Sequence, residues 1–342
     1  MPVVQRIFAI IGTGKRAKYI RCPRQYPILQ FNPVMSALPG KVQWLAKSLP
    51  FFRQARGKSL NHSRQQQRYF ASAQSQTVCN WFCPELSRKY QDGSRFYEVD
   101  IHGENKLLPS VTSVLNMLNK PGLNQWAVNV TLNKLEETLS DISDVREDKM
   151  VVMSKNDVES TLKMAKGVQK DVLASSADLG TRAHDTIDRI VRGDTENLVI
   201  DEDVKQVVKN FWQWWNHSGV VLDPRGDSMI YSAKYGYAGA ADALGVLPDG
   251  NLVVVDFKTS NGIFDTHIIQ VAAYAKALEE QLIAIGNPPE KAKVKEAYVV
   301  RFSKFDDEYE VKRVANIDES FNAFKACLYL WHYKQKNQMI AV

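Results

Sequence analysis

The chain predicts an α/β fold, a mixed sheet flanked by helices, and three observations carry that expectation. Apolar runs such as Leu252 to Phe257 are short and bounded by turn residues, as buried strands are. Longer segments, notably 155–175 and 265–285, place apolar residues at helical spacing. The two kinds of segment follow one another along the chain, which is the order of a layered domain of mixed class.

In chain order, residues 95–101 and 105–109 predict a short hairpin turning at Gly103. Helical patterns cover about 110–119, 122–138 and 155–175, with a further helix at 202–217. Ser110 or Ser113 opens the first of these, its hydroxyl suited to cap the free amides. The stretch 124–176 is a helical insert rich in Lys and Glu. Strands are expected near 229–232, 237–247, 252–258 and 295–302, and helices at 265–285 and 320–336. Phe211, Trp212, Trp214 and Trp215 form the densest aromatic cluster, and their helical spacing favours core packing over stacking on unpaired bases. No internal repeat is visible, so one domain over residues 85–342 accounts for the pattern.

Charge divides the chain at Glu85. Of 44 basic residues 13 precede it and of 38 acidic residues none does, so the overall +6 conceals a remainder carrying 31 basic against 38 acidic groups. An acid-free, Arg-rich amino terminus with Ser, Gln and Ala has the composition of a mitochondrial transit peptide. Residues 1–84 are therefore expected to be a presequence, and Arg68-Tyr69-Phe70-Ala71-Ser72-Ala73 resembles a processing site. The competing expectation is a basic arm retained to bind nucleic acid. No run of eighteen apolar residues occurs, so no membrane span is expected. Four cysteines, Cys22, Cys79, Cys83 and Cys327, argue against a disulfide scaffold in a chain of 342 residues.

The chemistry concentrates at Asp256-Phe257-Lys258. Side chains alternate along a strand, so Asp256 and Lys258 share a face. Pro248-Asp249-Gly250 is turn chemistry, and a loop of those three residues pairs Leu247 with Asn251 and sets Asp242 opposite Asp256. Facing carboxylates destabilise a sheet unless something positive lies between them, and a hard divalent cation with oxygen ligands suits the position. Acid-x-Lys triplets are common and recur at Glu104, Glu147, Asp203 and Glu310, but only Asp256 combines a buried strand, a turn and an earlier acid.

Gly180-Thr181-Arg182-Ala183-His184, Gly239-Ala240-Ala241-Asp242, Val255-Asp256-Phe257-Lys258-Thr259-Ser260 and Gln270-Val271-Ala272-Ala273-Tyr274, preceded by Pro109-Ser110-Val111-Thr112-Ser113-Val114-Leu115, form an ordered set. In that order they resemble the PD-(D/E)xK nuclease superfamily in its RecB-like branch, over roughly residues 107–303. The resemblance implies a restriction-endonuclease-like core with a helical segment arching over the site. It implies Mg²⁺ or Mn²⁺ held by His184, Asp242, Asp256 and the main-chain oxygen of Phe257. Asp242, Asp256 and Lys258 would be catalytic, with Lys258 orienting or helping to deprotonate the attacking water. Ser110, Thr112, Arg182, Gln270 and Tyr274 would contact substrate. Some RecB-like nucleases carry an iron-sulfur cluster on four cysteines, and with two or three of the four here in the presequence region none is expected.

These readings converge on a metal-dependent DNA exonuclease acting on single strands or flaps in the mitochondrial matrix. Two alternatives remain open at this point: a phage-type recombination exonuclease or structure-selective endonuclease, and a catalytically silent nuclease-like fold that binds nucleic acid.

Overall fold

The computed structural model describes residues 86–142, 144–145, 151–225 and 228–338. The basic segment 1–84, its expected processing site, and Cys22, Cys79 and Cys83 lie outside the described residues. The described residues open with strands β1 (Ser87–Gln91), β2 (Ser94–Ile101) and β3 (Glu104–Pro109), an antiparallel sheet in which Ile101 pairs with Glu104 across the expected turn at Gly103. Helix α1 (Val111–Leu115) follows. The insert comprises α2 (Pro121–Ile142), the strand pair β4 (Asp144–Val145) and β5 (Val151–Val152), and the amino-terminal half of α3 (Lys155–Arg192).

Helix α3 begins with a reciprocal cap. Ser154 Oγ accepts from the Asp157 N–H and the Asp157 carboxylate accepts from the Ser154 N–H. It ends at Gly193, whose φ of 75° is the left-handed stop only glycine adopts easily. Then come α4 (Lys205–Ser218), β6 (Val221–Leu222), β7 (Ser228–Ser232), β8 (Tyr237–Ala241), β9 (Ala243–Val246) and β10 (Leu252–Lys258). Helices α5 (Asp265–Ala284) and α6 (Pro289–Ala292), strands β11 (Glu296–Phe302) and β12 (Tyr309–Arg313), and α7 (Ile317–Gln338) complete the fold.

The main sheet has five strands in the order β12-β11-β10-β9-β6, with β10 and β11 parallel and the other pairs antiparallel. It is a mixed sheet with helices on both faces. Leu252 and Val254 of β10 pack with Ala275, Leu278 and Phe324 of α5 and α7, whereas Val253, Val255 and Phe257 pack with Ala183, Ile187, Phe211 and Trp214 of α3 and α4. Burial on both faces explains why β10 reads as a continuous apolar run rather than an alternating one. Phe211, Trp212 and Trp214 are core residues, with the Phe211 ring 5.6 Å from Phe257 and 6.0 Å from Phe302.

One expected element divides. Residues 237–247 form two strands on different sheets, with β8 pairing with β7 and bridging to Ser110 at Ala238, and β9 joining the main sheet. The break falls at Asp242. The Tyr237 hydroxyl donates to the Ala273 carbonyl at 2.9 Å, tying the β7–β8 hairpin to α5 while β9 continues on the sheet.

Candidate functional site

The β9–β10 hairpin places the two acids. Leu247 N–H donates to Asn251 O at 2.9 Å, and the pairs run Val246 with Leu252 to Ala243 with Val255. This is the register of a three-residue loop, and its next step would set Asp242 against Asp256. At that step the ladder ends, because Asp242 uses its side chain where a strand would use its backbone. Asp242 Oδ2 accepts from the Phe257 N–H at 2.7 Å, so the carboxylate closes the end of β10 and turns the chain away toward β8.

On the alternation of β10, Asp256 belongs to the face of Leu252 and Val254, beneath α5. It is 1 % exposed. Lys258 Nζ stands 2.6 Å from Asp256 Oδ2, giving that oxygen a neighbouring charge, yet no donor is aimed at it in hydrogen-bond geometry. A buried carboxylate oxygen without a directed donor is an exception among folded proteins.

Helix α3 delivers the imidazole. Ala183, Ile187 and Ile190 bury against the sheet, and on the flank of that apolar stripe His184 Nδ1 lies 3.1 Å from Asp242 Oδ1. A methyl group at Gly180 would stand 3.4 Å from Thr259 Oγ1, so the same helix passes directly against the loop leaving β10. Helix α5 supplies Gln270, whose Nε2 donates to the Tyr274 hydroxyl at 2.8 Å. Tyr274 is buried against β8, where a Cβ on Gly239 would come 2.5 Å from ring atom Cε1; only glycine leaves room for the ring.

The electrostatics divide the two acids. Burial first, and the negative charge of Asp242 second, push the Asp256 carboxyl up to about 6 against the pull of Lys258. Burial pushes Asp242 upward too, but His184, Lys258 and the Phe257 N–H outweigh it and hold that carboxyl below its ordinary range. The converse holds for the bases. Burial disfavours the charge on His184 and Lys258, and the two carboxylates more than restore it, so both are raised. Tyr274 is pushed well up by burial and then by the Asp256 charge.

The remaining residues singled out in the sequence have defined partners. Ser110 is the amino-terminal cap of α1, its Oγ accepting from the Ser113 N–H at 3.0 Å. Thr112 Oγ1 accepts from Arg95 Nη2 at 3.0 Å. Arg182 faces three carboxylates, Asp178 at 2.8 Å, Asp201 at 2.7 Å and Asp203 at 2.6 Å. These bonds raise the guanidinium's already high proton affinity further, Asp203 first. Phe257 sends its ring into the aromatic core, leaving its main chain beside Asp242.

Two residues were not apparent from sequence. Burial, then the charges of Lys258 and Lys120, push His267 down to about 4. Lys120 lies in the loop before α2 and His267 on α5, with no sequence motif linking them.

Among the described residues no three His, Cys, Asp or Glu side chains converge as a ready metal-binding group. The donor chemistry nonetheless suits a hard divalent cation, with two carboxylates and a main-chain oxygen together with an imidazole. The Asp256 carboxyl, raised by burial and by the Asp242 charge although Lys258 stands beside it, is what a cation placed there would relieve.

No protein-family model matches the chain, and no curated protein does. Among solved structures, "Crystal structure of SSO0001" aligns with 16 % identity and a TM-score of 0.26, over 60 % of this chain and 86 % of that one. A likeness so loose carries nothing about this chain's chemistry. What the coordinates themselves define is a mixed α/β protein with a mixed sheet between helical layers. Among the described residues no helix is long and apolar enough to cross a membrane.

Proposed function

We propose that this chain is a divalent-cation-dependent deoxyribonuclease with a restriction-endonuclease-like core, of the RecB-like branch of the PD-(D/E)xK superfamily. In this reading it hydrolyses phosphodiester bonds of single-stranded or flap DNA in mitochondrial DNA maintenance. The observation that carries the reading is the meeting of Asp242, Asp256, Lys258 and His184 at the point where β8 parts from β9. Two of these groups are negative and two favour the positive form, and the most buried carboxylate has an oxygen without a directed donor. Such separation of acid and base character in one buried cluster is characteristic of reactive sites.

Asp242, Asp256 and the Phe257 carbonyl would hold Mg²⁺ or Mn²⁺, with His184 as a further donor once it leaves Asp242. A cation there supplies positive charge for the phosphate and offsets the carboxylate charge that keeps Lys258 protonated. Lys258 does the proton chemistry at Nζ. Its raised affinity makes it an ammonium in the cation-free site, suited to donate to a phosphate oxygen, and it can accept a proton from water only after Asp256 is neutralised. Asp242 fixes the β10 main chain through the Phe257 N–H, keeping the carbonyl of that residue and Lys258 in place. Gln270 orients the Tyr274 hydroxyl by donating to it, so the phenol proton is available to substrate. Thr112, exposed on α1, would contact a backbone phosphate through its hydroxyl.

The test is degradation of end-labelled single-stranded DNA by the parent and by Lys258→Ala, each with Mg²⁺ and with EDTA. Cutting by the parent with Mg²⁺ only, and a fall of about 10²-fold or more in the variant, is expected. Equal degradation by both proteins would place the hydrolytic site elsewhere.

A further inference from the structure

Helix α3 runs unbroken from Lys155 to Arg192 and so joins the insert to the candidate site. Its buried residues lie along one side. Thr161 and Ala165 fall in the stretch packed on α2, where Gln169 Nε2 donates to Thr131 Oγ1 at 2.7 Å, and Ala183, Ile187 and Ile190 pack on the sheet. On the other side a row at intervals of three and four residues runs Lys163, Lys166, Lys170, Ala174, Ala177, Thr181 and His184. Every member except His184 is exposed.

The row contains no acid. Glu159, one turn before Lys163, pairs with Lys155 at 3.8 Å, and none of Lys163, Lys166 and Lys170 has an ion pair among the described residues. Three adjacent unpaired cations stand out on a body that carries 31 basic against 38 acidic groups from Glu85 onward. Lysines alone would be an ordinary solvated face; alignment with His184 on one helix gives these a direction. At about 1.5 Å of rise per residue, Lys170 stands roughly 21 Å and Lys163 roughly 32 Å along the axis from His184. A nucleic-acid strand is itself a row of regularly spaced negative charges, which ammonium groups on a straight helix can meet without reading sequence. Between them and His184, the short side chains of Ala174, Ala177 and Thr181 let a strand lie close to the helix.

We propose that Lys163, Lys166 and Lys170 hold phosphates of the DNA strand several linkages away from the one being cut, so that α3 guides the continuing strand to the cation site beside His184. The proposal rests on the nuclease reading and adds where the uncut part of the substrate lies.

The test is binding in EDTA, across a salt series, of a long end-labelled single-stranded oligonucleotide by the parent and two triple variants. Lys163→Gln/Lys166→Gln/Lys170→Gln empties the row with a residue that favours helix, and Lys89→Gln/Lys106→Gln/Lys312→Gln removes equal charge from exposed strand positions. The row variant should bind about tenfold or more weakly at about 0.1 M salt, and its slope of log affinity against log salt should fall by about 2, at about 0.7 per phosphate contact. The control should lose much less. With Mg²⁺, the parent's preference for the long strand over a trinucleotide, as a ratio of kcat/KM, should fall about tenfold in the row variant. The row is overturned if its variant keeps the parent's affinity and slope, or if the control loses as much, which would assign the effect to overall charge. A parent that binds the strand through the row yet cuts none with Mg²⁺ would overturn the nuclease reading instead, so the two failures are told apart.

Discussion

Replacing Asp256 by Asn should stabilise the metal-free protein at neutral pH. The carboxyl is held at about 6 against an ordinary 3.8, chiefly by burial and next by the like charge of Asp242. A native-state value above the unfolded one means that the folded protein binds this proton more tightly. The corresponding stability is fully present below about pH 4 and is lost as pH rises through about 6. Above that range the ionised group works against folding by about 3 kcal/mol, at roughly 1.4 kcal/mol per tenfold change in proton affinity. Lys258 is already part of this balance, since its ammonium pulls the value down. The amide keeps the shape without the charge. At pH 7.5 in EDTA, Asp256→Asn should therefore melt roughly 6–12 °C above the parent, and below pH 4 the two should converge. Asp242 has the opposite sign, its depressed value giving stability that is present at neutral pH and lost in acid, so its amide variant should not show the gain. Calorimetric melting across pH is the assay. An Asp256→Asn variant that melts with or below the parent at pH 7.5 would refute the claim that this carboxylate is held against its preference.

Other outcomes follow from the same geometry. Mn²⁺ should raise the melting temperature of the parent more at pH 7.5 than at pH 5, where protons compete for Asp256, and should do little for Asp256→Asn; calorimetry with and without Mn²⁺ reads both. Gly239→Ala brings a methyl group to 2.5 Å from the buried Tyr274 ring and should destabilise by about 1–3 kcal/mol, read by denaturant titration. Ser110→Ala removes the cap of α1 and should reduce stability by about 1 kcal/mol in the same titration. Mass spectrometry of the protein from cells should find a new amino terminus near Arg68-Tyr69-Phe70-Ala71-Ser72-Ala73; an intact Met1 would count against import and cleavage.

Much of the site was legible in the sequence because it depends on local rules. The Pro248-Asp249-Gly250 turn sets a three-residue loop, loop length sets register, and register carries Asp242 toward Asp256. What sequence could not show is that the ladder would stop one pair short, since this depends on the Asp242 side chain competing for the Phe257 N–H. The edge strand β12 was missed because Tyr309-Glu310-Val311-Lys312-Arg313 is mostly exposed and has no apolar run. Strand β6 has two residues, too few for any periodicity. Helix α3 runs to Arg192, well past the expected end near residue 175, because its later apolar positions Ala183, Ile187 and Ile190 bury against the sheet while the earlier half belongs to the insert. The partners of Arg182 were invisible for a similar reason, as Asp201 and Asp203 reach it from a separate loop.

The most direct measurement is anomalous diffraction from crystals soaked in Mn²⁺, with Asp256→Asn crystals treated alongside. A peak about 2.1 Å from carboxylate oxygens of both Asp242 and Asp256 in the parent, absent in the variant, is the predicted result. Ordered parent crystals with no peak between these two acids, or with a peak bound elsewhere, would contradict a cation-dependent site at this point of the fold.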